Sequence, residues 1–288
     1  ARRLLLKGSD RRYAFREGET GTAAVAAVLT DPPDCLLLDY NLPDMDAPEV
    51  LAALAGPDGL TVCPVVVITG SAGAEMGRAV LRAGAQDYIG KDWLTAQGLT
   101  RAVENAAERW QMARELRERA AVDAYRLALA DAVRPLADPA AVQAAAAGVL
   151  GRHLRASRVV YVDAEPTGEL VLGRGYTDGV ADIPGRYHLD DYGPVLRREL
   201  TAGRNIVVPD LPNDPGYTAD EKARYAAVDI AANLSVPLLK DGRLVAILGV
   251  HQIEPRPWTA AEVALAEETA EATWAAVQRA RAEEALRA

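Results

Sequence analysis

Three short apolar runs in the first third of the sequence each end in a side chain that can handle phosphate. Leu36-Leu37-Leu38 runs into Asp39, Val65 to Ile68 into Thr69, and Tyr88-Ile89-Gly90 into Lys91. Runs this short, apolar on both faces and separated by helical periods, read as buried parallel strands. In an open α/β sheet the carboxyl ends of such strands share one crevice, which is where these folds bind ligands. A carboxylate, a hydroxyl and an ammonium brought together there suit an aspartyl phosphate. Asp39 is the nucleophile, Lys91 neutralises phosphate charge, and Thr69 offers a donor to a phosphoryl oxygen. A single strand-end Asp is more simply a helix cap or a solvated carboxylate, and it is the three ends in register that outweigh this.

The elements that must position these residues can be read from periodicity. The pattern predicts strands at 13–16, 35–38, 65–68 and 87–89, and helices at 21–29, 48–54 and 75–83, with a further helix opening near Leu94. From Leu99 an apolar stripe continues through Val103, Ala106, Trp110, Ala113, Ala120, Ala124 and Leu127 in steps of four and three, interrupted by Arg117. No Pro or Gly occurs between Thr100 and Arg134, so one long helix is expected. A parallel coiled coil between two protomers is the favoured reading of its stripe, and a solvated linker helix is the alternative.

Beyond Pro135 the pattern becomes that of an antiparallel α+β domain. Helices are expected at 140–154 and 192–202, and strands at 158–163, 169–173 and 205–209. Residues 234–252 read as a hairpin turning at Asp241-Gly242, because this dipeptide accepts the positive φ of a tight turn. A last helix follows the capping residue Thr259, with Glu262 at N3.

The segments LLLDYNLPDMD, VVVITG and AGAQDYIGK resemble, in order and spacing, the successive motifs of a response-regulator receiver domain. The resemblance implies a flavodoxin-like α/β fold over residues 1–93, with Asp39 phosphorylated by the phosphohistidine of a histidine kinase or phosphotransfer protein. It also implies that Thr69 and Tyr88 form a coupled switch pair. Three departures accompany it. Receiver domains hold magnesium with an adjacent acidic pair at the end of their first strand, and no such pair occurs upstream of Tyr13. Asp39 and the carbonyl of Asn41 are then the remaining ligands, a partial site that can take Mg only if the acidic pair is present. Asp92 stands where the family usually has proline, and Ala47 where it has glycine. A first strand would lie centrally in the sheet, so the natural chain is expected to carry about 20 to 30 further residues before Ala1.

Residues 136–288 resemble a GAF sensory domain through RVVYVDA, AGRNIVVPDL and the hairpin LSVPLLKDGRLVAILGVHQ followed by PRPWTAAEVALAEETAEATWAAV. The family takes cyclic nucleotides, tetrapyrroles, small metabolites or nothing, so the GAF ligand stays open. Asp182-Ile183-Pro184 resembles a tripeptide of bilin-binding members, but no Cys lies in this part of the chain and no covalent bilin is expected. Residues 94–135 form the connecting helix between the two. The final helix keeps its stripe to the end of the sequence, so the natural chain is expected to continue into another sensor or a kinase core.

Composition narrows the class further. The 288 residues carry 32 Lys plus Arg against 41 Asp plus Glu, a net charge of −9, which disfavours nucleic acid and anionic lipid as direct partners. No apolar run approaches the length of a membrane span, so a cytoplasmic protein is expected. The two cysteines, Cys35 and Cys63, lack metal or disulfide spacing, and His153, His188 and His251 are too scattered for a ligand set. They are read as surface or packed residues. The whole is expected to be a two-component module, non-enzymatic and homodimeric through the connecting helix. A ligand-binding GAF sensor on an unphosphorylated, dimerising receiver is the alternative.

Overall fold

The computed structural model describes residues 1–8, 12–70 and 74–287. These fall into two compact units, Ala1–Val122 and Asp123–Ala288.

The first unit is a three-stranded parallel sheet in the order β1 (Leu36–Asp39), β2 (Val65–Thr69), β3 (Asp87–Gly90). Val65, Val66 and Val67 of the central strand are fully buried, as expected where helices cover both faces. Val65 and Val67 pack with Val28 of α2 (Gly21–Thr30), Val50, Leu51 and Leu54 of α3 (Ala47–Leu54) and Val80 of α4 (Ala74–Arg82). On the other face Val66 packs with Leu5 of α1 (Arg2–Gly8) and with Leu99, Ala102 and Ala106 of α5 (Ala96–Val133). The α3 start is sharply set. Asp46 accepts from the Glu49 amide at 3.0 Å, the Glu49 carboxylate accepts from the Asp46 amide at 2.8 Å, and Pro48 occupies the first turn.

One expected strand does not form. Tyr13 to Arg16 makes no ladder, although Tyr13 and Phe15 pack into the core with ring centroids 5.9 Å apart. A strand exists only by pairing, and β1 pairs with β2 alone among the described residues.

The second unit is a seven-stranded antiparallel sheet. Its order is β7 (Gly185–His188), β5 (Glu169–Leu172), β4 (Arg158–Ala164), β10 (Arg243–Gln252), β9 (Ala232–Lys240), β8 (Ile206–Val208), with β6 (Tyr176–Thr177) added to β4. Asp241 and Gly242 turn the β9/β10 hairpin with φ of 51° and 73°, as the sequence predicts. One face is covered by α6 (Pro139–Leu154), α9 (Ala260–Arg287) and Tyr125, Leu129 and Val133 of α5. The other carries Leu196 and Leu200 of α7 (Pro194–Thr201) and Tyr225 of α8 (Ala219–Ala226). The Thr259 cap forms as expected, accepting from the Glu262 amide at 3.2 Å. The helix expected from Tyr192 begins at Pro194, which suits a first turn where no amide donor is needed.

The single long helix is present as α5, but its stripe is divided. Leu99 and Ala106 are buried in the first unit, and the Trp110 indole donates to the Thr61 carbonyl at 2.7 Å. Tyr125, Leu129 and Val133 are buried in the second. Every residue from 114 to 121 is exposed, Leu116 included.

Candidate functional site

The strand ends bring together the residues singled out in the sequence. Asp39 closes β1 and Lys91 opens a 3₁₀ turn directly after β3, and Lys91 Nζ donates to Asp39 Oδ2 at 3.0 Å. Thr69, the last residue of the intervening β2, is 1% exposed and is the register partner of Gly90. The ion pair is half exposed, 51% for Lys91 and 42% for Asp39, so water screens it and it contributes little to stability. Its value is chemical. Oδ2 is held by the ammonium, while Oδ1 accepts no hydrogen bond among the described residues.

The loop that follows Asp39 is held by a residue for which the sequence suggested no role. Asp44 Oδ2 accepts from the Thr22 amide at 3.0 Å and the Thr22 hydroxyl at 2.8 Å, and Oδ1 from the Gly21 amide at 2.7 Å. Those amides are orphan donors at the start of α2. The Thr22 amide, then its hydroxyl, then the Gly21 amide bring the Asp44 carboxyl down to about 2. Gly21 also permits a close approach, since a Cβ there would lie 2.1 Å from Met45 Cγ. Ala47 N donates to the Tyr40 carbonyl at 2.9 Å, and Asn41 bridges to Asp46 within the same loop. Asn41 itself is exposed. Ala47 opens α3 with ordinary helical geometry, so the missing glycine is without consequence there.

Tyr88 lies in mid β3, paired in register with Val67 and half-buried against the core. Its ring occupies the space beside Gly77 of α4, where a Cβ would stand 2.2 Å from Tyr88 Cζ.

The fold family implies magnesium at this edge, and the donor set can be tested against it. One carboxylate, Asp39, and the exposed Asn41 are what the described residues supply, and no group of three His, Cys, Asp or Glu among them could hold a metal. An octahedral cation needs more oxygen ligands than this, so the residues present do not fit it.

In the second unit, Asp182 Oδ1 accepts from the Ile183 amide at 3.0 Å, ordinary turn chemistry for the segment with the bilin-type tripeptide. The three histidines are packed or at the surface. The His153 ring packs tilted against that of Tyr125 with centroids 4.8 Å apart, His188 Nδ1 accepts from the Asp190 amide at 3.4 Å, and His251 is buried. No helix among the described residues is long and apolar enough to cross a membrane.

Comparison with known proteins places families on both units. Residues 2–104 match the response regulator receiver domain and residues 138–277 match the GAF domain. The chain is 30% identical over 110 residues to chemotaxis protein CheY of Pseudomonas aeruginosa, covering 37% of this chain and 88% of that protein. It is 34% identical over 90 residues to transcriptional regulatory protein KdpE of Mycobacterium tuberculosis, covering 31% of this chain and 38% of KdpE, so that it spans well under half of that relative. Among solved structures, the phycoerythrobilin-bound GAF domain of a cyanobacterial phytochrome aligns with a TM-score of 0.49 and 13% identity, over 57% of this chain and 97% of that one.

Proposed function

Because the chain belongs to the response-regulator receiver family and also carries a GAF domain, we propose that it is a cytoplasmic two-component signalling module phosphorylated on Asp39. The donor is a histidine kinase or phosphotransfer protein, and the signal passes through a dimeric α5 to the GAF domain and its downstream output. The observation that carries this reading is the Lys91 to Asp39 contact of 3.0 Å beside the end of β2.

In the proposed step Asp39 Oδ1 attacks the phosphorus of a phosphohistidine. The new O–P bond forms as the P–N bond breaks, and the electron pair leaves with the histidine nitrogen. Lys91 Nζ, already placed, donates to a phosphoryl oxygen and balances the added charge. The Thr69 hydroxyl supplies a second donor, and Tyr88 on the neighbouring strand responds to the displacement of Thr69. A divalent cation assisting this chemistry needs carboxylates beyond those that these residues set beside Asp39. The exposed stretch of α5 with Met112, Leu116 and Leu127 is the surface offered to a second protomer. Receiver and GAF domains are not catalytic in themselves, and a net charge of −9 argues against nucleic acid as a direct partner.

Intact mass after incubation with acetyl phosphate and magnesium tests the proposal. A gain of one phosphate that is lost in Asp39→Asn supports it. An unlabelled protein that still dimerises supports the second reading, a GAF sensor on a degenerate receiver platform, which the sparse metal donors favour.

A further inference from the structure

Within the second unit the end of α5 makes its directional contacts with a single element. The Tyr125 hydroxyl and Thr269 Oγ1 of α9 lie 2.5 Å apart, in residues 3% and 0% exposed. Thr269 gives its one hydroxyl proton to the Leu265 carbonyl at 2.6 Å, so Tyr125 is the donor between them. Burial pushes the Tyr125 phenol up to about 12, which keeps that proton in place. One residue on, Arg126 grips Glu268 with two bonds, Nε to Oε1 at 2.6 Å and Nη2 to Oε2 at 3.0 Å. Arg279 of α9 then donates to the Val133 and Arg134 carbonyls at 3.0 and 3.3 Å, capping the end of α5 with a cation.

These links fix a register. Positions 125 and 126 on α5 meet 269 and 268 on α9, and 133 and 134 meet 279, so the two helices run side by side in the same direction. Among the described residues, no side-chain hydrogen bond or ion pair from 123–134 reaches any other element of this unit. The remaining surroundings of Tyr125, Leu129 and Val133 are an apolar core and the tilted ring of His153. Apolar burial has no preferred direction, whereas a hydrogen bond weakens steeply as its geometry is lost. The end of α5 is therefore registered on α9 and only packed against the rest. On its strand side α9 has three ties, Lys240 to Glu271 at 2.6 Å, Asn205 to Glu267 at 2.7 Å and Arg281 to Asp163 at 3.3 Å, each a single exposed bond.

We propose that the end of α5 and the part of α9 beside it form one mechanical unit, so that a movement of α5 passes straight to the outgoing helix rather than through the sheet. The clasp does not depend on what drives α5. That the drive is phosphate on Asp39 rests on the function proposed above.

Native-state hydrogen exchange on the whole, unphosphorylated chain tests the clasp separately from any labelling of Asp39. Amides of residues 123–133 and 265–280 are expected to open together, with one protection level and one urea dependence, apart from those of β4 and β10. Tyr125→Phe, which deletes a buried hydrogen bond, is expected to lower protection about tenfold in both helices while the strands keep theirs. Glu268→Gln, in an exposed pair on the α9 side, is expected to lower it about threefold, again in both helices. A loss confined to the helix that carries the change overturns the proposal. So does a loss shared equally with β4 and β10, or no loss with either variant.

Discussion

Asp39 with Lys91 in the first unit, and Arg158 with His251 in the second, are both pairs of ionisable side chains at or beside strands, yet they serve opposite ends. The Asp39 and Lys91 pair sits at a sheet edge, half in water, with one carboxylate oxygen uncommitted. Arg158 is 1% exposed, and its guanidinium donates to the Ala181 carbonyl at 3.0 and 2.7 Å and to the Val228 carbonyl at 2.8 Å. Burial opposes its charge, and the nearby Asp229 and Asp182 offset part of that cost. His251, its register partner across the sheet, is pushed down to about 3 by burial first and the Arg158 charge second, so it stays neutral near pH 7. Solvent access thus separates the charge pair proposed to react from the charge that holds the scaffold. The Arg158 cation, with each of its three nitrogens donating to a loop carbonyl, staples the 178–184 and 228–231 segments to the sheet.

The sharpest way to break this comparison is Arg158→Met. It removes the guanidinium donors of the Ala181 and Val228 carbonyls, hydrogen bonds to a charged group that contribute about 1.5–3 kcal/mol each. Urea unfolding of the second unit is expected to lose about 3 kcal/mol or more, and a loss below about 1 kcal/mol removes the scaffolding role.

Acid provides the next test. The unfolded chain protonates His251 near 6.5 while the folded one resists to about 3. Between those values the unfolded state binds more protons, so this histidine's contribution to stability is intact above about pH 6.5 and is lost as pH falls. The loss is on the order of a few kcal/mol by pH 4, and the same urea titrations with His251→Leu are expected to show a flatter pH dependence. Parallel curves for the two proteins refute a buried neutral imidazole.

Lys91→Met is expected to do least to the fold. An exposed pair of this kind contributes about 0–1 kcal/mol, so the denaturation midpoint barely moves while acetyl phosphate labelling of Asp39 falls sharply. A large stability loss with labelling intact inverts the comparison, making Lys91 the scaffold.

The proposed phosphorylation site was far more legible in the sequence than the buried pair. A strand of Val and Leu that stops at Asp, Thr or Lys announces both its burial and its edge, so Asp39, Thr69 and Lys91 could be placed before any coordinates. Arg158 opens a β-branched run, where it looks like a solvated strand end. Only the loops folded over it make it interior, and such contacts span 23 and 70 residues of sequence. Tyr13 to Arg16 has the composition of a strand, but pairing is decided by the neighbour rather than by the segment. Asp44 was visible as one of two acids in its loop. Nothing local distinguishes it from Asp46, whose capping partner Glu49 is three residues on, whereas the donors to Asp44 lie more than twenty residues upstream. The α8 helix had a readable signal in Thr218 and Glu221, which form a capping box.

The ring of Tyr88 fills the volume that every residue other than glycine would claim at position 77. Aromatic and helix are therefore meshed like a tooth and its notch. The tyrosine cannot swing without vacating the notch, and α4 cannot close in while the tooth is seated. Whatever moves Tyr88 is thereby geared to the surface of α4 by the absence of a single carbon atom.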